Sequence, residues 1–202
     1  SGDIDDTLPI IYGVFQDQGV ELDDSHGSNI LNTLSEQRGF RGKAGEFLIL
    51  HIAENGQNRT FVLMGLGEAK KLTGELLRGY SGDLSRLLRQ NKIQSAQFLL
   101  ESCQPMAEAA TVLIGNLVEG VILGLYKFEK WKSGDAETSD YFLDLVIVTD
   151  GDQSKENAIQ RGVRVSKGVI LARDLVNSPA NRMTPTNMAE TAQSIAVQNI
   201  LD

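Results

Sequence analysis

The stretch Phe47-Leu-Ile-Leu-His-Ile-Ala-Glu-Asn-Gly-Gln-Asn-Arg-Thr-Phe-Val-Leu-Met-Gly-Leu-Gly67 decides how the rest of the chain folds. Two apolar runs, Phe47 to Ile52 and Thr60 to Met64, carry the side chains that suit a pleated surface. Between them Asn55-Gly56 offers the left-handed conformations of a tight turn. The pair is a hairpin, so two neighbouring strands run antiparallel.

Outward from the hairpin, strand and helix patterns alternate. Pro9 to Phe15 is a short apolar run that makes a first strand, followed by a polar loop from Gln16 to Gly27. Ser28 to Arg38 predicts a short helix stopped by Gly39. After the hairpin, Leu72, Leu76, Tyr80, Leu84, Leu87 and Leu88 recur at helical spacing, with Thr73 as the cap. Ala96 to Leu100 is the next strand. Pro105 opens a long helix with Met106, Ala110, Leu113, Leu117, Val121 and Leu125 on its apolar face. Gly115, Gly120 and Gly124 weaken that helix, so tertiary packing has to hold it. The run Tyr141 to Val148 predicts a strand buried on both faces. Ser154 to Val176 is helical with two apolar stripes, one through Ile159, Val163 and Ile170, the other through Val165, Val169, Ala172 and Val176. This order of elements is an α/β layered domain with a mixed sheet.

Composition narrows the class. With 202 residues, 41% hydrophobic and 23% charged, the chain is an ordinary globular one. The eight acids before Arg38, the first basic residue, account for the whole imbalance between 27 acids and 19 bases. No basic surface is spread over the domain, which argues against nucleic acid. One cysteine excludes an internal disulfide and fits a reducing compartment, where Cys103 is a small buried apolar residue. The acidic start lacks the basic segment of a secretion signal, and the longest uncharged apolar run, Ala109 to Val118, is far short of the ~20 residues of a membrane span. A cytoplasmic protein with no membrane contact is expected.

The residues alone contain no convincing active site. Gly65-Leu-Gly67 follows a strand, but Lys70 stands where a dinucleotide loop wants Gly or Ala, so it is a strand-exit turn. Asp150-Gly-Asp152 begins like a calcium loop and then fails, with Lys155 and Arg161 at the positions that need Gly and Glu; it is a turn whose Asp or Ser caps the next helix. His26 and His51 lie apart from each other and from any ligand cluster, and His51 is a structural strand residue. No catalytic, cofactor-binding or metal-ligating residue is assigned to any position.

Near the end stands Leu171-Ala-Arg-Asp-Leu-Val-Asn-Ser-Pro-Ala-Asn-Arg-Met-Thr-Pro185. A helix runs into Asn177, breaks at Pro179, and restarts with Thr184 as N-cap and Pro185 at the first helical position. This string resembles the junction between the two domains of leucyl (cytosol) aminopeptidases, a family of two-metal metallopeptidases. Three further patches resemble the family's N-terminal domain in the same order: Phe40-Arg-Gly-Lys-Ala-Gly-Glu46, Val62 to Lys70 with its Gly-Leu-Gly, and Tyr126-Lys-Phe-Glu-Lys-Trp-Lys-Ser133.

The resemblance implies a three-layer α/β/α, macro-domain-like N-terminal domain over residues 1–152, a linker helix over 153–178, and the start of a C-terminal catalytic domain over 179–202. It implies that the longer protein removes N-terminal amino acids from peptides, with two divalent ions, Mn or Zn, held by the catalytic domain. It also implies a hexamer in the cytoplasm. The family's metal-site string, Asn-Thr-Asp-Ala-Glu-Gly-Arg-Leu, does not occur here, so no cofactor is expected in this chain and none of those roles transfers to its residues. The alternative is a macro-like module that binds a nucleotide or nucleic acid. Neither tight DNA binding nor ADP-ribose binding is expected, given the charge and the incomplete glycine loop. Beyond Pro185, Met188, Ala192, Ile195, Ala196 and Asn199 share a helical face, expected to pack on a second copy or to fold back on its own domain.

Overall fold

The structure, a computed structural model, describes residues 4–5, 7–16, 28–54, 57–103, 109–128 and 141–198. Among the described residues, five strands form one sheet: β1 (Ile10–Phe15), β2 (Phe47–Glu54), β3 (Gln57–Gly67), β4 (Ser95–Leu99) and β5 (Asp144–Val148), in the order β2-β3-β1-β4-β5. β2 and β3 pair antiparallel from Phe47 opposite Met64 to Glu54 opposite Gln57, as the hairpin reading requires. Asn55 and Gly56 themselves lie outside the described residues. Every other pairing is parallel, which makes the sheet mixed.

Successive side chains of a strand point to opposite faces, and the core divides accordingly. Ile11, Phe15, Val62, Met64, Ala96 and Phe98 belong to one apolar cluster, while Ile10, Tyr12, Val14, Phe61 and Leu63 belong to another. Helix α1 (Ser28–Gln37) contributes Leu31 to the second cluster. The first is covered by α2 (Gly74–Gln90), α3 (Ala110–Leu125) and the beginning of α4 (Gln153–Asn177), through Leu77, Leu84, Leu88, Leu113, Leu117 and Ala158. Helices therefore lie on both faces of the sheet.

The α2–α3 contact explains why α3 tolerates its glycines. A Cβ on Gly120 would sit 2.2 Å from the Arg78 carbonyl oxygen, and one on Gly124 would sit 2.4 Å from Ser85 Oγ. The serines facing them spend their hydroxyls on their own helix, Ser81 on the Leu77 carbonyl and Ser85 on that of Gly82. Backbones that approach this closely gain dispersion contact along their length, which offsets the poor intrinsic helicity of glycine. Arg78 bridges the pair at its edge, held by Glu75 on its own helix and by Glu119 of α3 at 3.2 Å; these bonds, that to Glu75 first, raise its already high pKa.

Three expectations need correction. β5 is an edge strand and is not buried on both faces: Phe142 just before it is 63% exposed and Val146 within it 46%. An unbroken apolar run cannot by itself separate a central strand from an edge one. The buried face of α2 runs through Leu77, Ser81, Leu84, Ser85 and Leu88, and Leu76 is exposed. Serines buried against glycines are invisible to a search for apolar periodicity. Finally, α3 starts at Ala110, after a non-helical Ala109; Pro105 and Met106 lie outside the described residues.

By compactness the chain divides into Ser1–Leu125 with Ser139–Ser166, and Tyr126–Thr138 with Lys167–Asp202. In the second unit, α4 ends at Asn177, the corner follows, and α5 (Pro185–Gln198) begins with Thr184 Oγ1 accepting the Asn187 amide. Met188, Ile195 and Val197 of α5 are 46%, 37% and 66% exposed.

Candidate functional site

The glycine-rich end of β3 and the loop Phe40 to Glu46 prove to be one object. The Gly67 amide donates to the Gly42 carbonyl at 2.9 Å, the Gly65 amide to the Glu46 carbonyl at 2.7 Å, and the Gly45 amide to the Gly65 carbonyl at 3.0 Å. Gly65 must be glycine, since its Cβ would lie 2.1 Å from the Lys43 carbonyl oxygen. Gly42 has a φ of +68°, and the amides on either side of it, from Arg41 and Lys43, both donate to Glu46 Oε2 at 3.0 Å. Converging amides of this kind hold anions. Here the anion is the protein's own carboxylate, so a phosphate arriving at this loop meets negative charge where it needs donors. Gly65 to Gly67 are not a turn beyond the strand but its last residues, paired with Val14 and Phe15 of β1, and their partner loop was not foreseen.

The other candidates also resolve into structure. Asp152 caps α4, its Oδ1 accepting the Ser154 amide at 3.0 Å and its Oδ2 the Ser154 hydroxyl at 2.7 Å. Lys155 Nζ donates to Asp150 Oδ1 at 2.7 Å. Those bonds hold both carboxyls below the usual carboxylate range, the Ser154 hydroxyl leading for Asp152 and the Lys155 ammonium for Asp150. His51 pairs across the hairpin with Thr60 Oγ1 at 3.0 Å. Cys103 is fully buried, and loss of water pushes its thiol up to about 12, so at neutral pH it is an inert apolar group. His26 lies outside the described residues. Among the described residues, no three His, Cys, Asp or Glu side chains come together as a metal ion requires. These residues therefore do not fit the two-metal centre of the resembled family.

A second built feature lies in the unit that ends the chain. Tyr126 gives its phenolic hydrogen to Asp174 Oδ1 at 2.7 Å, Asn177 Nδ2 donates to the phenol oxygen at 3.4 Å, and the Arg173 guanidinium lies 5.4 Å from the ring centre. Removal of the phenol from water, then the bond to Asp174, pushes the Tyr126 pKa up. Tyr126, the first residue of its patch, thus meets the junction string in space. Nothing in their sequence spacing announces this, because the partners stand nearly fifty residues apart.

The sequence profile of the N-terminal domain of the cytosol aminopeptidase family matches residues 13–135, more than half of the chain. The chain belongs to that family, as its N-terminal domain. Relatives agree along almost the whole length. A probable cytosol aminopeptidase of Microcystis aeruginosa is 33% identical over 178 residues, covering 88% of this chain and 35% of the relative. One of a Cyanothece species is 32% identical over 199 residues, covering 96% and 40%. The chain thus spans little more than a third of the length of such aminopeptidases. Among solved structures, a tomato leucine aminopeptidase variant has a TM-score of 0.73 at 22% identity, over 95% of this chain and 39% of the other. The bottromycin maturation enzyme BotP in complex with Mn also has a TM-score of 0.73 at 22% identity, over 94% and 36%. Both show the same α/β fold. Family membership favours the aminopeptidase domain over a nucleotide-binding module. Among the described residues no helix is long and apolar enough to cross a membrane.

Proposed function

We propose that this chain is the non-catalytic part of a longer metallo-aminopeptidase that removes N-terminal residues from peptides in the cytoplasm. The observation that carries the reading is the profile match to an N-terminal domain, in a chain that covers 35% to 40% of its relatives. Residues 1–152 form the macro-like N-terminal domain, 153–178 the linker helix, and 179–202 the first part of the catalytic domain. Two divalent ions, Mn or Zn, belong to that second domain; one neighbour of the same fold was solved with Mn. The exposed Met188 and Ile195, which share one side of α5, are the face on which the catalytic domain seats, within a hexamer.

The test compares this chain with the product of the complete gene, both supplied with Mn, on a leucyl anilide. The longer protein releases leucine and loses that activity to a chelator, whereas the 202-residue chain releases none. Turnover by the short chain, or none by the long one, would sink the proposal.

A further inference from the structure

The grip on Tyr126 comes from one face of α4, because Arg173, Asp174 and Asn177 are spaced so that one turn presents all three. Asp174 works twice there. Its carboxylate accepts the Tyr126 hydroxyl, and its backbone carbonyl accepts both the Ser178 amide at 3.1 Å and the Ser178 hydroxyl at 2.7 Å. These two hydrogen bonds close the last turn of α4, and Pro179, which has no amide hydrogen, ends the ladder there. The Pro179 carbonyl then takes the amides of Arg182 and Met183 at 2.8 and 2.9 Å, and Thr184 opens α5. A continuous path of hydrogen bonds runs from the phenol of Tyr126 through Asp174 and Ser178 to the corner.

We infer that Tyr126 is a positioning residue, a latch whose hydroxyl orients Asp174 and thereby sets the corner from which α5 leaves. A ring that only filled space would need no hydroxyl, and phenylalanine would serve as well. The direction of the proton matters too. The hydroxyl donates to a carboxylate, so the latch requires the phenol to keep its proton, and Arg173 over the ring balances the charge of Asp174 beside it. What the corner delivers, α5 with its apolar face, matters to catalysis only on the reading proposed above. The latch itself is a property of this chain.

Hydrogen exchange on the 202-residue chain tests it, read at the amides of residues 178–188, none of which touches the Tyr126 hydroxyl in the structure. Y126F keeps the ring and loses only the donor; D174A loses the acceptor; D174N keeps an oxygen that can accept the same bond. Exchange at 178–188 is expected to quicken about tenfold in Y126F and D174A, as for loss of a hydrogen bond to a charged group, and to stay near wild type in D174N. The double variant Y126F/D174A should be no faster than either single one. Amides of β1 and β3, unchanged throughout, report that each variant is folded. Unchanged exchange in Y126F, or D174N as fast as D174A, would overturn the latch. Because every readout belongs to this chain, such a result leaves the aminopeptidase reading standing, and an inactive longer protein leaves the latch standing.

Discussion

Helices α3 and α5 treat small and apolar residues in opposite ways. In α3, Leu113, Ile114 and Leu117 are buried to 2% exposure or less, and even Gly120 and Gly124 are pressed against the backbone of α2. In α5 the apolar residues are exposed, and Val197 leaves two thirds of its surface in water. The first helix belongs to a unit that completes its own core. The second leaves apolar side chains exposed. A folded unit tolerates exposed apolar residues singly, but several on one helix mark a surface made for something else. The contrast predicts that substitutions in α2 and α3 decide whether the chain folds, and that those in α5 do not.

The largest effect should come at Gly120. A Cβ there meets a carbonyl oxygen at 2.2 Å and Ser81 Cβ at 2.8 Å, and a backbone carbonyl inside a helix cannot step aside. Gly120→Ala should cost at least about 3 kcal/mol in urea unfolding, the upper end for overpacking. Gly79, also helical and with nothing within 4 Å of its would-be Cβ, is the control. There, replacement by alanine should stabilise by about 0.5–1 kcal/mol, because only the helix propensity changes. Two glycine-to-alanine changes of opposite sign would establish that packing, and not propensity, governs α3. A mild Gly120→Ala would break the comparison.

A pH effect of intermediate size should arise from the same core. Burial raises the Cys103 thiol from 9.0 to about 12, so the folded chain keeps a proton that the unfolded chain releases. For a raised pKa, the stabilisation is fully present below pH 9 and is lost as pH climbs towards 12. Stability should fall by about 1.4 kcal/mol per pH unit across that window from this group alone. Urea midpoints measured at successive pH values, for wild type and Cys103→Ala, isolate the contribution. Equal slopes in the two proteins would refute it. Tyr126 and Tyr141, whose phenols are also pushed up, add a drop of the same sign that the alanine variant retains.

How much of this was legible in the sequence follows from the range of the interactions. The hairpin, the Thr73 cap and the turn at Asp152 rest on residues within a few positions of one another, and they were readable. The Thr184–Pro185 restart was readable for the same reason. The edge position of β5 was not, because it depends on which strand pairs with which. Nor were the Ser81 and Ser85 contacts with α3, which hide small residues where a pattern reader looks for leucines. The family-like patches were recognised singly, and their physical reason appears only in pairs. Glu46 holds the loop that locks Gly65 and Gly67, and Asp174 holds Tyr126. Motifs that lack chemistry of their own are conspicuous as strings and obscure as function, because each is half of a contact.

The smallest effect belongs to α5, and it sharpens the contrast most. Replacing Met188 and Ile195, which share one side of α5, together by serine removes apolar surface that is already substantially wet. Exposed positions away from special features change stability by about 0.5 kcal/mol or less each, and serine costs the helix only a few tenths more per site. Urea unfolding of the 202-residue chain should therefore move little, by at most about 1.5 kcal/mol for the two sites together. The same double change in the longer protein should matter more. If the catalytic domain seats on this face, each side chain loses burial worth roughly 1.5–3 kcal/mol when complete. The measurement is the difference between the two contexts, stability against length of chain, with the variant constant. A small effect in the short chain and a large one in the long would identify the face as a domain contact. Equal small effects would mean that α5 is covered by nothing in the longer protein either. A large effect in the short chain alone would mean that α5 is already part of a core, and the contrast with α3 would fall.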